Sequence, residues 1–256
     1  FADFDLGKLP RALGALQDLS GTCDGSVTAR GPIAKPRLEV DVGVRDGEAR
    51  IGDMPRISKF RGRIRGDDQE LRLENVSASM GAAPLQMRGK LQPKAQEPWK
   101  SRVDIALTSK NALLWRRAGV RLRAGLDVTA TGALDALEVA GEIRLREGKV
   151  VGRFPWFEFR RSGAMRNPGT ISIPALASEA SPVRGRLALT IETEEAIDVR
   201  TNVLRCGITT ALKLEGKLSH PVLTGTAACV ARGVDAPSLK LPGIQMRIAT
   251  ALVDFD

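Results

Sequence analysis

Residues Gly125–Gly152 read GLDVTATGALDALEVAGEIRLREGKVVG. Val139, Ile143 and Leu145 fall on one side of an extended chain; Glu138, Glu142, Arg144 and Arg146 fall on the other. Alternation with period two predicts a β-strand with one buried and one wet face. Gly132 closes the alternating run before it, and Leu137 occupies the turn. Arg-Glu-Gly-Lys, 146–149, predicts a compact hairpin before a further strand.

The same pattern recurs twice. GSVTARGPIAKPRLEVDVGVRDGEARIG spans Gly25–Gly52, and ALKLEGKLSHPVLTGTAACVARGVD spans Ala211–Asp235. The paired glycines Gly31/Gly47, Gly132/Gly148 and Gly216/Gly233 stand 16, 16 and 17 residues apart, with Pro36 and Pro221 at equivalent turn positions. Each unit (25–52, 125–152, 211–235) predicts strand, turn, strand, turn, with glycine supplying turn conformations. Leu38, Val40, Val42 and Val44 share one face of the first unit, and Arg45-Asp46-Gly47-Glu48 predicts another hairpin. LRLENVSASM (71–80), RVDIALTS (102–109), VRLRAGLDVTATG (120–132) and RLALTIETEEAIDVRT (186–201) continue the alternation. Roughly 14 to 18 strands of ordinary length fit the chain.

The fold class expected is all-β: a long antiparallel sheet, closed, sandwiched or curled into a trough, because so few helices are available to cover its apolar face. One helix is expected over Leu9–Gly21, from Pro10, the leucines at 13, 16 and 19, and Gly21. A weaker helical turn is expected over Ser109–Arg116. Arg160–Gly185, rich in Pro, Ser and Gly, predicts loop with one strand near Thr170–Ile173.

The 256 residues are 43% hydrophobic and 27% charged, a folded rather than disordered composition. No run of 18 apolar residues occurs, so no spanning helix is expected. FADFDLGKLP is neither a leader nor a start, so the chain reads as one elongated fragment of a longer protein, with any anchor outside it. The net charge of +9 comes from single Lys and Arg residues at alternate positions, as in RGRIRG. That is the wet face of strands. With no tyrosine and 4% aromatics, neither a base-stacking nucleic-acid surface nor an aromatic-girdled membrane barrel is expected.

Candidate chemistry is sparse. His220, the single histidine, sits in a turn, and Cys23, Cys206 and Cys229 lack metal-ligand spacing, so no metal, cofactor or catalytic residue is expected. Asp3/Asp5 and Asp254/Asp256 read as exposed strand ends. RFPWFEF, Arg153–Phe159, holds four of the ten Phe and Trp residues, with Trp156 on one face and Phe157 and Phe159 on the other. It reads as core packing or as a lip for a partner.

The chain resembles the C-terminal region of TamB-type proteins, within the AsmA-like group. The resemblance is carried by the three repeats, above all LALTIETEEAIDVRTNVLRCGITTALKLEGKLSHPVLTGTAACVARG, Leu187–Gly233, and the closing Phe255-Asp256. It implies a curled sheet shaped like a taco shell with a continuous apolar groove. It also implies a periplasmic location, an inner-membrane anchor and transfer of phospholipid to the outer membrane. A part in outer-membrane protein assembly, with a barrel-type assembly protein as partner, is implied as well. Leu38, Val40, Val42, Val44, Leu126, Val128, Val139, Ile143, Leu145, Leu187, Leu189, Ile191, Leu212, Leu214 and Leu223 would then line the groove. The alternative is a closed, non-enzymatic β-scaffold of the adhesin or surface-layer kind, without lipid cargo.

Overall fold

A computed structural model of the chain describes residues 2–6, 16–32, 37–51, 55–94, 96–117, 119–152, 181–202, 204–231, 238–241, 244–247 and 251–255. Among them sixteen strands form a single sheet. In chain order these are β1 (Phe4–Asp5), β2 (Leu16–Arg30), β3 (Arg37–Ile51), β4 (Ile57–Asp67), β5 (Leu71–Met80) and β6 (Ala83–Gln92). Next come β7 (Arg102–Arg117), β8 (Val120–Ala133), β9 (Ala136–Gly152), β10 (Gly185–Thr193) and β11 (Ile197–Thr201). The last are β12 (Leu204–Lys217), β13 (His220–Val230), β14 (Ser238–Leu241), β15 (Ile244–Arg247) and β16 (Ala251–Phe255).

Strands β1 to β9 follow one another as an antiparallel meander, and the order continues β10, β12, β13, β16. The all-β expectation of one long curled sheet holds. It is antiparallel with one exception: β10 and β11 both run parallel to β9. Parallel neighbours need a crossover of about a dozen residues or more, which the stretch between Gly152 and Gly185 is long enough to make. Beyond β13 the sheet ends on β16, while the β14–β15 hairpin joins it through β12.

Several local expectations are corrected. Arg45–Glu48 and Arg146–Lys149 are not hairpins: β3 and β9 run straight through them. Each is a β-bulge, with register shifts between Val44 and Gly47 and opposite Leu145 and Glu147. A bulge adds one residue, so the apolar positions move from even to odd numbers, or the reverse, and stay on one face. The cue misleads because Asp-Gly suits a bulge as well as a hairpin tip; at the β3 bulge Asp46 has φ 50°. Asp18, Lys59 and Asn75, with φ of 52–53°, mark bulges in β2, β4 and β5.

The helix expected over Leu9–Gly21 is strand from Leu16 onward; its first part lies outside the described residues. The extra residue at Asp18 lets a strand carry a leucine spacing of three that otherwise suggests a helical turn. Gly21 does not cap a helix. Its φ of 128° brings it against β3, where a Cβ would meet Gly47 Cα at 2.7 Å. The turn expected over Ser109–Arg116 lies within β7. Two successive register shifts there place Ala112 and Leu113, 0% and 4% exposed, in consecutive buried positions. Arg160–Ile173, Trp156, Phe157 and Phe159 lie outside the described residues.

Helix among the described residues is confined to short 3-10 turns, such as Pro98–Lys100. With no α-helix among the described residues to cover it, the sheet packs its apolar face against itself. Ala124, Leu145, Ile197, Val199 and Cys206 form one cluster. Ala78, Met80, Leu85 and Ala112 form a second, and Leu187, Leu189 and Leu218 a third. Leu126 touches the first two and Ile143 joins the first to the third, so the clusters are continuous along the face. The accessible surface is 17614 Å². A compact monomer of this mass exposes roughly 11,000 Å².

Candidate functional site

Register pairing carries each position straight across the sheet, so a single transverse row can be followed from strand to strand. One row begins at Gly25 and runs through Val42, Ile64, Leu73, Gly89 and Ile105. It continues through Ala130, Val139, Leu187 and Gly216 to Pro221. Every position in it is apolar or glycine. The neighbouring row starts Ser26, Asp41, Arg65, Arg72, Lys90 and Asp104. It ends Thr131, Glu138, Arg186, Lys217 and His220, polar at every step. Adjacent rows point to opposite faces, so the sheet has one apolar and one ionic face across eleven strands.

All fifteen residues expected to line a groove stand on the apolar face. Val40 pairs with Val27 and Gly66, and Val44 with Cys23 and Gly62; Leu38 stands one step nearer the hairpin, opposite Ala29. Leu126, Ile143, Ile191 and Leu212 make one continuous row. Val128, Gly141, Leu189, Leu214 and Leu223 make the next. Leu145 pairs with Ala124. Leu187, Leu189 and Leu145 are buried at 3%, 7% and 9% exposure, Leu38 is exposed, and the others are half-buried.

Sequence reasoning passed over the middle of this face. Leu71, Leu73, Val76, Ala78 and Met80 of β5, with Leu85 and Met87 of β6 and Ile105 and Leu107 of β7, belong to it equally. Their alternation was visible in 71–80 and 102–109. Outside the three repeats, the bulge at Asn75 breaks the parity that would have tied the two halves of β5 together.

Glycine interleaves with these apolar residues. Gly141 sits between Val128 and Leu189, and a Cβ there would meet Asp127 O at 2.1 Å. At Gly148 a Cβ would meet the Ile197 side chain at 2.6 Å. The neighbouring strand lies over each glycine, which lets the sheet curl without voids. Even so, no large side chain among the described residues is fully buried.

The polar face holds the charges in cross-strand pairs. Arg63 and Arg65 both bond Asp41, the latter at 3.1 Å. The Arg63 guanidinium, helped by Arg65, holds the Asp41 carboxyl below the usual aspartate value. Arg146, at the β9 bulge, forms an ion pair with Glu194 at 2.6 Å, fastening β9 where the chain passes from β10 to β11. His220 is exposed at the start of β13, its ring 3.1 Å from Ser219 Oγ. Asp3 and Asp5 are exposed, as expected of strand ends; Asp256 lies outside the described residues. Cys206 and Cys229 meet on the apolar side, and burial, with the contact to Cys229, pushes the Cys206 thiol up to about 12. The described residues hold no cluster of three or more metal-ligating side chains and no helix long and apolar enough to cross a membrane.

The arrangement offers extended apolar area, and no convergent catalytic group stands among the described residues. No curated protein and no solved structure matches the chain. The model of the TamB C-terminal domain family matches residues 13–151, which include the first repeat and nearly all of the second. The match lies in the N-terminal part rather than at Leu187–Gly233, the stretch that carried most of the resemblance. Because it covers more than half of the sequence, the chain belongs to the TamB C-terminal domain family.

Proposed function

We propose that the apolar face is an acyl-chain groove, and that this chain is a segment of a periplasmic bridge carrying phospholipid between the inner and outer membranes. The observation that carries the reading is the continuity of the apolar face: its rows cross eleven strands, and most of its residues are only half-buried. A lipid tail laid on such a face gains about 0.8 kcal/mol per buried CH₂. Uniform Val, Leu, Ile and Gly rows hold a tail without fixing it at one place, which transport requires. The opposite face stays wet and ionic, suited to an aqueous compartment. Membership of the TamB family supports a lipid-transport or assembly role. The proposal extends to outer-membrane protein assembly, with a barrel-type assembly protein as partner and an inner-membrane anchor outside this chain.

Native mass spectrometry of the purified chain tests it. Bound phospholipid is expected, and Val42→Asp or Ile143→Arg reduces its occupancy. A folded wild type free of lipid, or variants that fold and retain full occupancy, would refute the groove.

A further inference from the structure

On the polar face, at the end of β7, β8 and β9 remote from the β8–β9 turn, three cations stand directly opposite one another. Arg116 pairs with Arg121, and Arg121 with Lys149; on the far side of Lys149 stands Asp198 of β11, which is bonded to Arg200. Like charges in facing positions of adjacent strands destabilise a sheet. The row Arg65, Arg72 and Lys90 faces cation to cation in the same way, but there each charge reaches a carboxylate: Arg65 that of Asp41, and Arg72 and Lys90 that of Glu70. Among the described residues no hydrogen bond or ion pair satisfies Arg116, Arg121 or Lys149.

The three line a hollow of about 800 Å³ together with Arg123, Gly81, Gly119 and Val151, and no carboxylate lines it. Arg123 is the ordered member. Its side chain is 15% exposed, and its Nη atoms donate to Asn111 O at 3.0 Å and Gly81 O at 3.1 Å. Its buried Nε has no hydrogen-bond partner, though it forms a long ion pair, 3.8 Å, with Glu147 directly across on β9. Four cations facing one recess, one of them fixed by backbone carbonyls, make a receptor for a compact multivalent oxyanion.

We propose that this hollow binds a phosphate group, supplied either as a free phosphate or as an anionic phospholipid headgroup. A phosphate relieves the like-charge row and offers acceptors to several guanidiniums at once. Val151, 43% exposed at the rim, gives the source an apolar border. The site is on the face opposite the acyl-chain groove and does not depend on lipid being held there.

Isothermal titration of the 256-residue chain with inorganic phosphate and with glycerol phosphate reads the site. Flotation with phosphatidylglycerol or phosphatidylcholine vesicles reads the headgroup source. Arg121→Gln combined with Lys149→Gln should weaken phosphate binding by about tenfold or more, as expected on losing two charge-assisted contacts. Arg88→Gln with Arg186→Gln removes the same charge elsewhere on this face and should leave binding unchanged. The Arg121/Lys149 variant should melt no lower than wild type in phosphate-free buffer, because the substitutions relieve repulsion. Flotation with phosphatidylglycerol that glycerol phosphate competes away, and that the variant loses, identifies the headgroup. Phosphate titration without selective flotation identifies the free anion. Absence of phosphate binding, unchanged binding by the folded variant, or equal loss in the control overturns the proposal.

Discussion

The first and second repeats, in β2–β3 and β8–β9, share one pattern and occupy different surroundings. Both pair two long strands, both place a glycine after a bulge, and both keep their apolar residues on one face. In β8–β9 the face is covered: Ala124 is 0% and Leu145 9% exposed, and Ile197 of β11 lies over Gly148. In β2–β3 Val27 is 56% and Leu38 37% exposed. Among the described residues only the two-residue β1 stands beyond β2, whereas β8–β9 has β7 on one side and β10 and β11 on the other. The same residue types become core or rim according to what lies next to them. Pattern decides which way a side chain points; neighbours decide how much water it loses.

Two pairs of substitutions probe that contrast, in descending size of effect. Leu145→Ala should cost about 3 kcal/mol in urea denaturation, the middle of the range for a buried leucine, while Leu38→Ala costs less than about 1 kcal/mol. Equal costs would mean that the two repeats are equivalently packed. Gly148→Val should cost about 2 kcal/mol, since its new side chain overlaps Ile197 and neither strand has room to yield. Gly152→Ala, with no atom within 4 Å of the new methyl group, should be neutral within about 0.5 kcal/mol. If both glycine variants melt alike, the packing over the β9 bulge is not what holds β11 in place.

The smallest effect belongs to the wet face of the first repeat. The folded Asp41 carboxyl is held below its unfolded value by Arg63 and Arg65. Its contribution is therefore present above the unfolded aspartate value and lost as pH falls through the lowered folded one. Asp41→Asn should destabilise slightly at pH 7, and the difference from wild type should vanish toward strongly acidic pH. A difference that persists unchanged at low pH would show that the ion pairs are not its source.

Much of the apolar face was legible in the sequence. Leu38 to Val44 and Val139 to Leu145 alternate without interruption, and side-chain direction in a strand follows from period two alone. The paired glycines were legible as special positions, but not their role. Asp-Gly and Glu-Gly fit a hairpin tip or a bulge equally well, and the local chain does not distinguish the two. Ala112-Leu113-Leu114 suggested a helical turn because two bulges in β7 bring neighbouring residues into buried positions. The row Arg116, Arg121 and Lys149 was not legible at all: these residues lie on three strands, and only register brings them together.

By itself the sequence determined an all-β chain with one apolar and one ionic face, because alternation and turn residues act through local geometry. It also determined the repeat that marks the family. The tertiary structure decided what depends on partners distant along the chain. These are the parallel seating of β10 and β11 on β9, the burial of Leu145 against the exposure of Leu38, and the meeting of Cys206 with Cys229. The opposition of like charges beside Gly119 belongs with them. Strand register links positions up to dozens of residues apart, and its choice is made by the fit of whole strands rather than by any short run of residues.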